Sequence, residues 1–265
     1  MFSTWLWGLC GYYLSNLVGK LVRLPVPIWA RKWVYGSFNA TYGVVVSEAE
    51  FPISTYPTMG SWFTRGLVNG CRPQCDSPWV SPVDGVVVQS GTLTKGELIQ
   101  AKGLYYSLRD LTQTDSWDTG TFICIYLSPK DCHRIMSPVS GQLRHATHIP
   151  GSLYPVRPHQ VATIPQLYCV NERLSMGLTT PNGDLFLVAV GALNVGSIST
   201  QFDPTFKGQH TTTICHRTYH GISTQPGDWL ATFHLGSTVI LITQAVFTPI
   251  PVGQPIQIGQ SLVAS

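Results

Sequence analysis

From residue 80 to the C-terminus the apolar positions come in short runs punctuated by glycine, proline, aspartate and serine. VDGVVVQSG (83–91), GTFICIYLS (120–128), GQLRHATHI (141–149), GDLFLVAVGALNVGSIS (183–199), DWLATFH (228–234) and STVILITQAVF (237–247) are rich in β-branched and aromatic residues. That pattern predicts strand after strand. Residues 50–80 are rich in proline, glycine and aromatics and read as an irregular connection, with one helical turn around GSWFTRGLV (60–68). The expected fold class is α+β, mainly β: a β-rich, barrel-sandwich-like core with a helical amino-terminal appendage.

That appendage starts with MFSTWLWGLCGYYLSNLVG, nineteen residues without a charge, followed by Lys20, Arg23, Arg31 and Lys32. The length is close to the roughly 20 apolar residues of a membrane span. Ser3, Thr4, Gly8, Gly11, Ser15 and Asn16 dilute it, however, and Trp5, Trp7, Tyr12 and Tyr13 favour the membrane interface. An amphipathic helix lying among headgroups fits better than a span; a helix packed on the protein's own core is the alternative. LPVPIWARKWVYGSF (24–38) predicts a second helix with Trp29, Trp33 and Val34 on one face and Arg31 and Lys32 available to anionic lipid. The division expected is an amphipathic membrane-association segment over 1–50 and a β-rich domain over 51–265, with the protein peripheral on the cytoplasmic face of a membrane.

Composition sharpens this picture. Charged residues are 11% of the 265-residue chain, against about 25% in ordinary soluble domains, which suits a protein living against lipid or a partner. A net charge of +3 without a Lys/Arg cluster gives no footprint for nucleic acid. Seven cysteines without a CxxC pair support neither a disulfide framework nor a zinc ribbon. His216 and His220 stand four apart, but their neighbours suggest loop or strand rather than a metal-binding helix, so no metal is expected.

Several polar positions interrupt the strands. Asp84 precedes Gly85 in SPVDGVV, which is ordinary turn chemistry taken alone. Asp131, His133 and Arg134 follow the FICIYL run inside SPKDCHRIMSP, where titratable side chains against a buried strand are costly unless paired. FHLGSTVILIT (233–243) places Gly236, Ser237 and Thr238 at the mouth of an apolar strand. Either this is a turn, or the Gly236–Ser237 peptide bond is itself a reaction site.

Taken in order, these segments resemble the phosphatidylserine decarboxylase proenzyme family. The matching motifs are Pro82–Gly85, QAKGLYYSL (100–108), LSPKDCHR (127–134), PGSL (150–153), NER (171–173), VGALNVGSI (190–198) and LGSTV (235–239). The resemblance implies that Ser237 attacks the Gly236 carbonyl and that β-elimination then splits the chain. The fragments would be 1–236 (beta chain) and 237–265 (alpha chain), held together, with a pyruvoyl group made from Ser237 as cofactor. It also implies phosphatidylserine in an anionic membrane as the substrate, bound through a Schiff base, with phosphatidylethanolamine as product and His133 as the acid that protonates the α-carbon. Monomer and homodimer both stay open.

One position departs from the family pattern. The family reads HR-X-H, with the second histidine as base of an Asp-His-Ser arrangement headed by the residue at Asp84; here that position is Met136. A thioether accepts no proton, so the substitutes are His133 paired with Asp84, or His234, two residues before the cleaved bond. The competing reading is a processing-deficient relative that binds anionic phospholipid without turnover. A carrier-type barrel-sandwich domain is a third, opposed by the ordered LGST and QAKG motifs. A serine hydrolase is disfavoured because no Gly-X-Ser-X-Gly elbow occurs.

Overall fold

STVILIT forms a strand that lies near the middle of the principal sheet because its run is apolar to both sides: Thr238 to Thr243 are all buried. Continuous rather than alternating hydrophobicity marks a strand covered on both faces. This is seen in a computed structural model that describes residues 18–101, 104–114, 117–156, 158–192, 197–206, 212–234 and 237–264. In chain order the principal strands are β1 (Gly85–Thr94), β2 (Glu97–Ala101), β3 (Leu104–Ser107), β4 (Thr119–Leu127), β6 (Gly141–Ile149), β7 (Arg173–Thr180), β8 (Gly183–Gly191), β10 (Cys215–Thr224), β12 (Ser237–Thr243) and β13 (Pro255–Ile256). They form a ten-stranded sheet in the order β10-β6-β7-β8-β12-β4-β1-β2-β3, with β13 against β1, antiparallel throughout.

A second sheet of three strands, β5 (Arg134–Met136), β11 (Trp229–Phe233) and β9 (Ile198–Thr200), runs in the order β5-β11-β9. The β-rich core expected from the sequence is present. The 183–199 run breaks after Gly191 into β8 and β9, and the 237–247 run stops at Thr243, where Gln244 N–H turns to Asp184 O. His216 and His220 lie on β10, an edge strand whose side chains are mostly half-buried or exposed. Among the described residues no three His, Cys, Asp or Glu side chains are grouped to hold a metal ion.

The helices are short except for α1 (Ile28–Tyr42), which ends at Gly43 with φ of 75°. Others are α2 (Met59–Phe63), α3 (Leu108–Thr112), α4 (Pro158–Thr163) and α5 (Leu167–Val170), and residues 18–21 are helical as well. Thr58 caps α2 in a reciprocal capping box with Ser61. Tyr35 and Asn39 are the buried positions of α1; the Trp62 indole N–H donates to Asn39 Oδ1 (2.9 Å), and Tyr35 stacks on Trp62. This small cluster with Val44, Ala49 and Tyr56 is separate from the main core. Trp29 and Trp33 are 78% and 79% exposed, as an outward apolar face requires.

Arg31 behaves differently from the expectation of a lipid-facing cation. It is half-buried, and its guanidinium donates to Val26 O and Ser54 O, tying α1 to the 53–55 turn. Residues 1–17, the start of the proposed anchor, lie outside the described residues, and no described helix is long and apolar enough to cross a membrane.

Candidate active site

Register fixes what comes together. The backbone of Ser237 pairs with Leu127 at the end of β4 and with Gly191 at the end of β8, while Val86 and Thr238 both pair with Tyr126. Asp84, just ahead of β1, therefore stands at the same end of the sheet as Ser237, two strand spacings away, about 10 Å. Leu235, Gly236 and the Ser237 side chain lie outside the described residues.

Asp84 is held rather than free. Its carboxylate accepts from Arg72 (Nε 3.0 Å to Oδ1, Nη2 2.8 Å to Oδ2) and from the Ile258 backbone N–H at 2.9 Å. Arg72 also donates to Glu48 at 2.7 Å, which holds the Glu48 carboxyl below its ordinary range. Gly85 has a reason beyond turn chemistry: a Cβ there would sit 2.4 Å from Tyr126 O.

The segment after β4 is shaped by Asp131, whose carboxylate accepts from Ser128 N–H (2.7 Å) and Oγ–H (2.8 Å). Burial raises its pKa. His133 follows, wholly buried, its ring 4.0 Å from that of Phe63 between centroids. Nδ1 lies 2.9 Å from Asp131 O. A carbonyl only accepts, so Nδ1 carries the proton and Nε2 keeps its lone pair. Nε2 is buried without a partner, and burial lowers the pKa to about 3. The imidazole is neutral and is a base.

Asp84 and His133 thus satisfy different groups and share no hydrogen bond, so the Asp84–His133 pair considered from sequence is not formed in this state. Met136 lies on β5, where its N–H donates to Pro82 O at 2.8 Å, two residues before Asp84. Position 136 is therefore beside the Asp84 turn, with a half-buried thioether. His133 O accepts from Phe233 N–H at 3.0 Å, which joins the histidine segment to the end of β11, three residues before Gly236. Burial also lowers the pKa of His234, and its Nε2 is 3.0 Å from Ser199 Oγ.

The remaining motifs act as clamps. Asn171 is fully buried; its amide N–H groups donate to Tyr154 O (2.8 Å) and to Gly191 O (2.9 Å), and its Oδ1 accepts from Tyr154 N–H. It thereby ties the PGSLY loop to Gly191, the residue opposite Ser237. Gln100 donates to Val161 O and accepts from Leu167 N–H, fastening β2 to α4 and α5. Sequence reasoning missed Arg72 and Arg65. Arg65, at the end of α2 and 3% exposed, donates to Lys130 O at 2.7 Å, and Nε and Nη1 have no partner. The available signal was an arginine inside an otherwise apolar helical turn, WFTRGL, where burial demands a partner.

Known proteins resemble this chain along most of its length. The family model described as phosphatidylserine decarboxylase matches residues 59–264. The phosphatidylserine decarboxylase proenzyme of Myxococcus xanthus is 38% identical over 235 residues, covering 86% of this chain and 84% of that protein. That of Nitrosococcus oceani is 38% identical over 268 residues, 94% and 86% respectively. The mitochondrial proenzyme of Caenorhabditis elegans is 33% identical over 270 residues, 94% and 70%. With motifs, register and relatives in agreement, the chain belongs to the phosphatidylserine decarboxylase family.

Proposed function

We propose that the protein cleaves itself between Gly236 and Ser237 and, with the pyruvoyl group so made, decarboxylates phosphatidylserine to phosphatidylethanolamine. The observation that carries this reading is that Ser237 opens β12, with the Asp84 turn, position 136 and the His133 segment gathered at the same sheet end. The site suits a pyruvoyl group because the nearby histidine offers a desolvated, unpartnered Nε2. When present, the pyruvoyl carbonyl supplies an electron sink to the amine of the substrate.

His133 takes the part that Met136 lacks. With Nδ1–H fixed on Asp131 O, Nε2 is the atom that receives the Ser237 hydroxyl proton as Oγ attacks the Gly236 carbonyl. Asp84 and its Arg72 clamp hold the turn against β5 rather than relaying a proton. In turnover His133 must first collect a proton before it gives one to the α-carbon; a substrate carboxylate alongside raises its pKa and permits this. Asn171 holds the PGSLY loop beside the reacting end of β12.

Membrane association belongs to the same reading. Ile28, Trp29 and Trp33 on α1, with Leu21 and Leu24 before it, are exposed beside the cations Lys20, Arg23 and Lys32, so the protein lies peripherally on an anionic bilayer. Intact mass spectrometry tests the central claim. Two fragments, 1–236 and a 237–265 piece with a blocked amino end, together with carbon dioxide release from phosphatidylserine vesicles, are expected. A single intact chain that releases no carbon dioxide sinks the proposal.

A further inference from the structure

A cavity of ≈ 280 Å³ lies between α2, the 50–56 segment, β5 and β11, and Arg134, Arg65, Glu50, Trp229 and His234 are among the side chains that line it. Two lining residues have neighbours that matter. Phe51 is 54% exposed on the segment that Arg31 ties to α1, the element with the outward tryptophans. His234 is two residues before Gly236 in the chain, whose bond to Ser237 is proposed to be cut.

Its chemistry is unusual for a cleft. The Arg134 guanidinium lies flat on Trp229, its carbon 3.9 Å from the ring centroid, and its ion pair is a single long contact of 3.4 Å from Nη2 to Glu50 Oε2. Nε of Arg134 is buried and has no partner. A guanidinium has five donors in a fork suited to a bidentate oxyanion, so most of this one's capacity is unspent. Arg65 adds a second buried cation with two unpartnered donors. Gly66 makes the arrangement possible: a Cβ there would fall 2.0 Å from Glu50 Oε2 and 2.7 Å from Arg134 Nη2.

We infer that this cavity is the site for the phosphate diester of the substrate headgroup, held by Arg134, with Arg65 as a positioning charge and the Glu50 carboxylate as the internal anion that the phosphate displaces. This rests on the decarboxylase reading. The charges fit the reaction: two arginines against one glutamate leave the lining at +1. The phosphatidylserine headgroup, with its phosphate, carboxylate and ammonium, carries −1. Loss of carbon dioxide and uptake of a proton leave a headgroup of zero net charge, so the cavity favours substrate over product. The reacting serine Cα and its amine must be at residue 237. The phosphate is separated from that Cα only by the Cβ–O linkage, and the assignment sets it in the cavity lined by His234, which is two residues before Gly236 in the chain.

The test is calorimetric titration of the full-length Ser237→Ala protein, which needs no turnover, with water-soluble dibutanoyl phosphatidylserine, dibutanoyl phosphatidylethanolamine and inorganic phosphate. Phosphatidylserine is expected to bind several-fold more tightly than phosphatidylethanolamine. Arg134→Gln is expected to weaken phosphatidylserine tenfold or more, and Arg134→Lys less. Glu50→Gln, which spares the guanidinium and its seat on Trp229, is expected to tighten it and decides the matter if Arg134→Gln does not fold. In the Ser237 enzyme Arg134→Gln raises KM by a similar factor with a smaller change in kcat. Unchanged phosphatidylserine affinity in a folded Arg134→Gln protein, or no gain from Glu50→Gln, overturns the assignment. So does inorganic phosphate binding as tightly as the lipid. Failure of the Ser237 enzyme to release carbon dioxide counts instead against the decarboxylase reading.

Discussion

Burial at His133 makes the stability of the protein depend on pH. Its pKa falls from 6.5 in the unfolded chain to about 3 in the folded one, so between those values the unfolded state binds the extra proton. The stabilising contribution is complete above pH 6.5 and is lost as pH falls toward 3. At pH 5 the loss is about 2 kcal/mol. Thermal unfolding of His133→Gln against the parent at pH 7.5 and pH 5 should show the parent losing more stability on acidification; equal losses would show that His133 is not buried neutral. The same residue separates the two candidate bases. His133→Gln should stop fragmentation, and Met136→His alone should speed it in a pulse-chase, because an imidazole would then stand beside the Asp84 turn. The double variant should cleave yet release no carbon dioxide. A double variant that stays whole removes position 136 from processing. Asp84, His133 and position 136 were legible in the sequence by type and order. Their partners were not, because Arg72 reaches Asp84 from an irregular stretch twelve residues earlier, where no periodicity links the two.

At the scale of elements, the apolar runs announced β1, β4, β6, β8, β9, β11 and β12, most clearly β4, β8 and β12, which are buried on both faces. Of the strands no run announced, the long ones are β7 and β10, which lack a continuous apolar run for physical reasons. Gly177 interrupts β7 because the His145 ring of β6 lies over it, 2.3 Å from where a Cβ would be. β10 is an edge strand that carries polar and charged residues along much of its length. Pro-X-Asp-Gly was legible as a turn, while the need for its glycine appears only when β1 meets β4. Gly85→Ala drives a methyl group into Tyr126 O and Ile125 Cγ2, at 2.4 and 2.8 Å, and backbone cannot swing aside as a side chain can. Overpacking of this kind costs about 1–3 kcal/mol. Denaturant unfolding should show that loss, and fragment formation should slow because the strain falls between Asp84 and the row holding Ser237. A variant as stable and as quickly processed as the parent would mean that β1 and β4 separate there freely.

For the whole molecule the open matter is how a β-rich body reaches a substrate that resides in a bilayer. The proposed answer is α1, which spends Tyr35 and Asn39 on the cluster around Trp62 and leaves Ile28, Trp29 and Trp33 facing outward. This division decides how the anchor should be tested. Removing residues 1–35 would also remove Tyr35, which is fully buried, stacks on Trp62 and donates to Tyr56 O. Lost binding would then be confounded with lost structure. Trp29→Ser with Trp33→Ser alters only side chains that are almost wholly in solvent, and exposed substitutions of this kind usually move stability by less than about 0.5 kcal/mol. Aromatic side chains contribute strongly at the membrane interface, whereas Lys20, Arg23 and Lys32 contribute about 1 kcal/mol each near an anionic surface and are screened by salt. The double variant should therefore keep the parent's melting temperature but sediment less with phosphatidylserine-containing vesicles, and its residual binding should be more sensitive to salt. If it sediments as fully as the parent at both low and high salt, α1 does not carry the protein to the membrane.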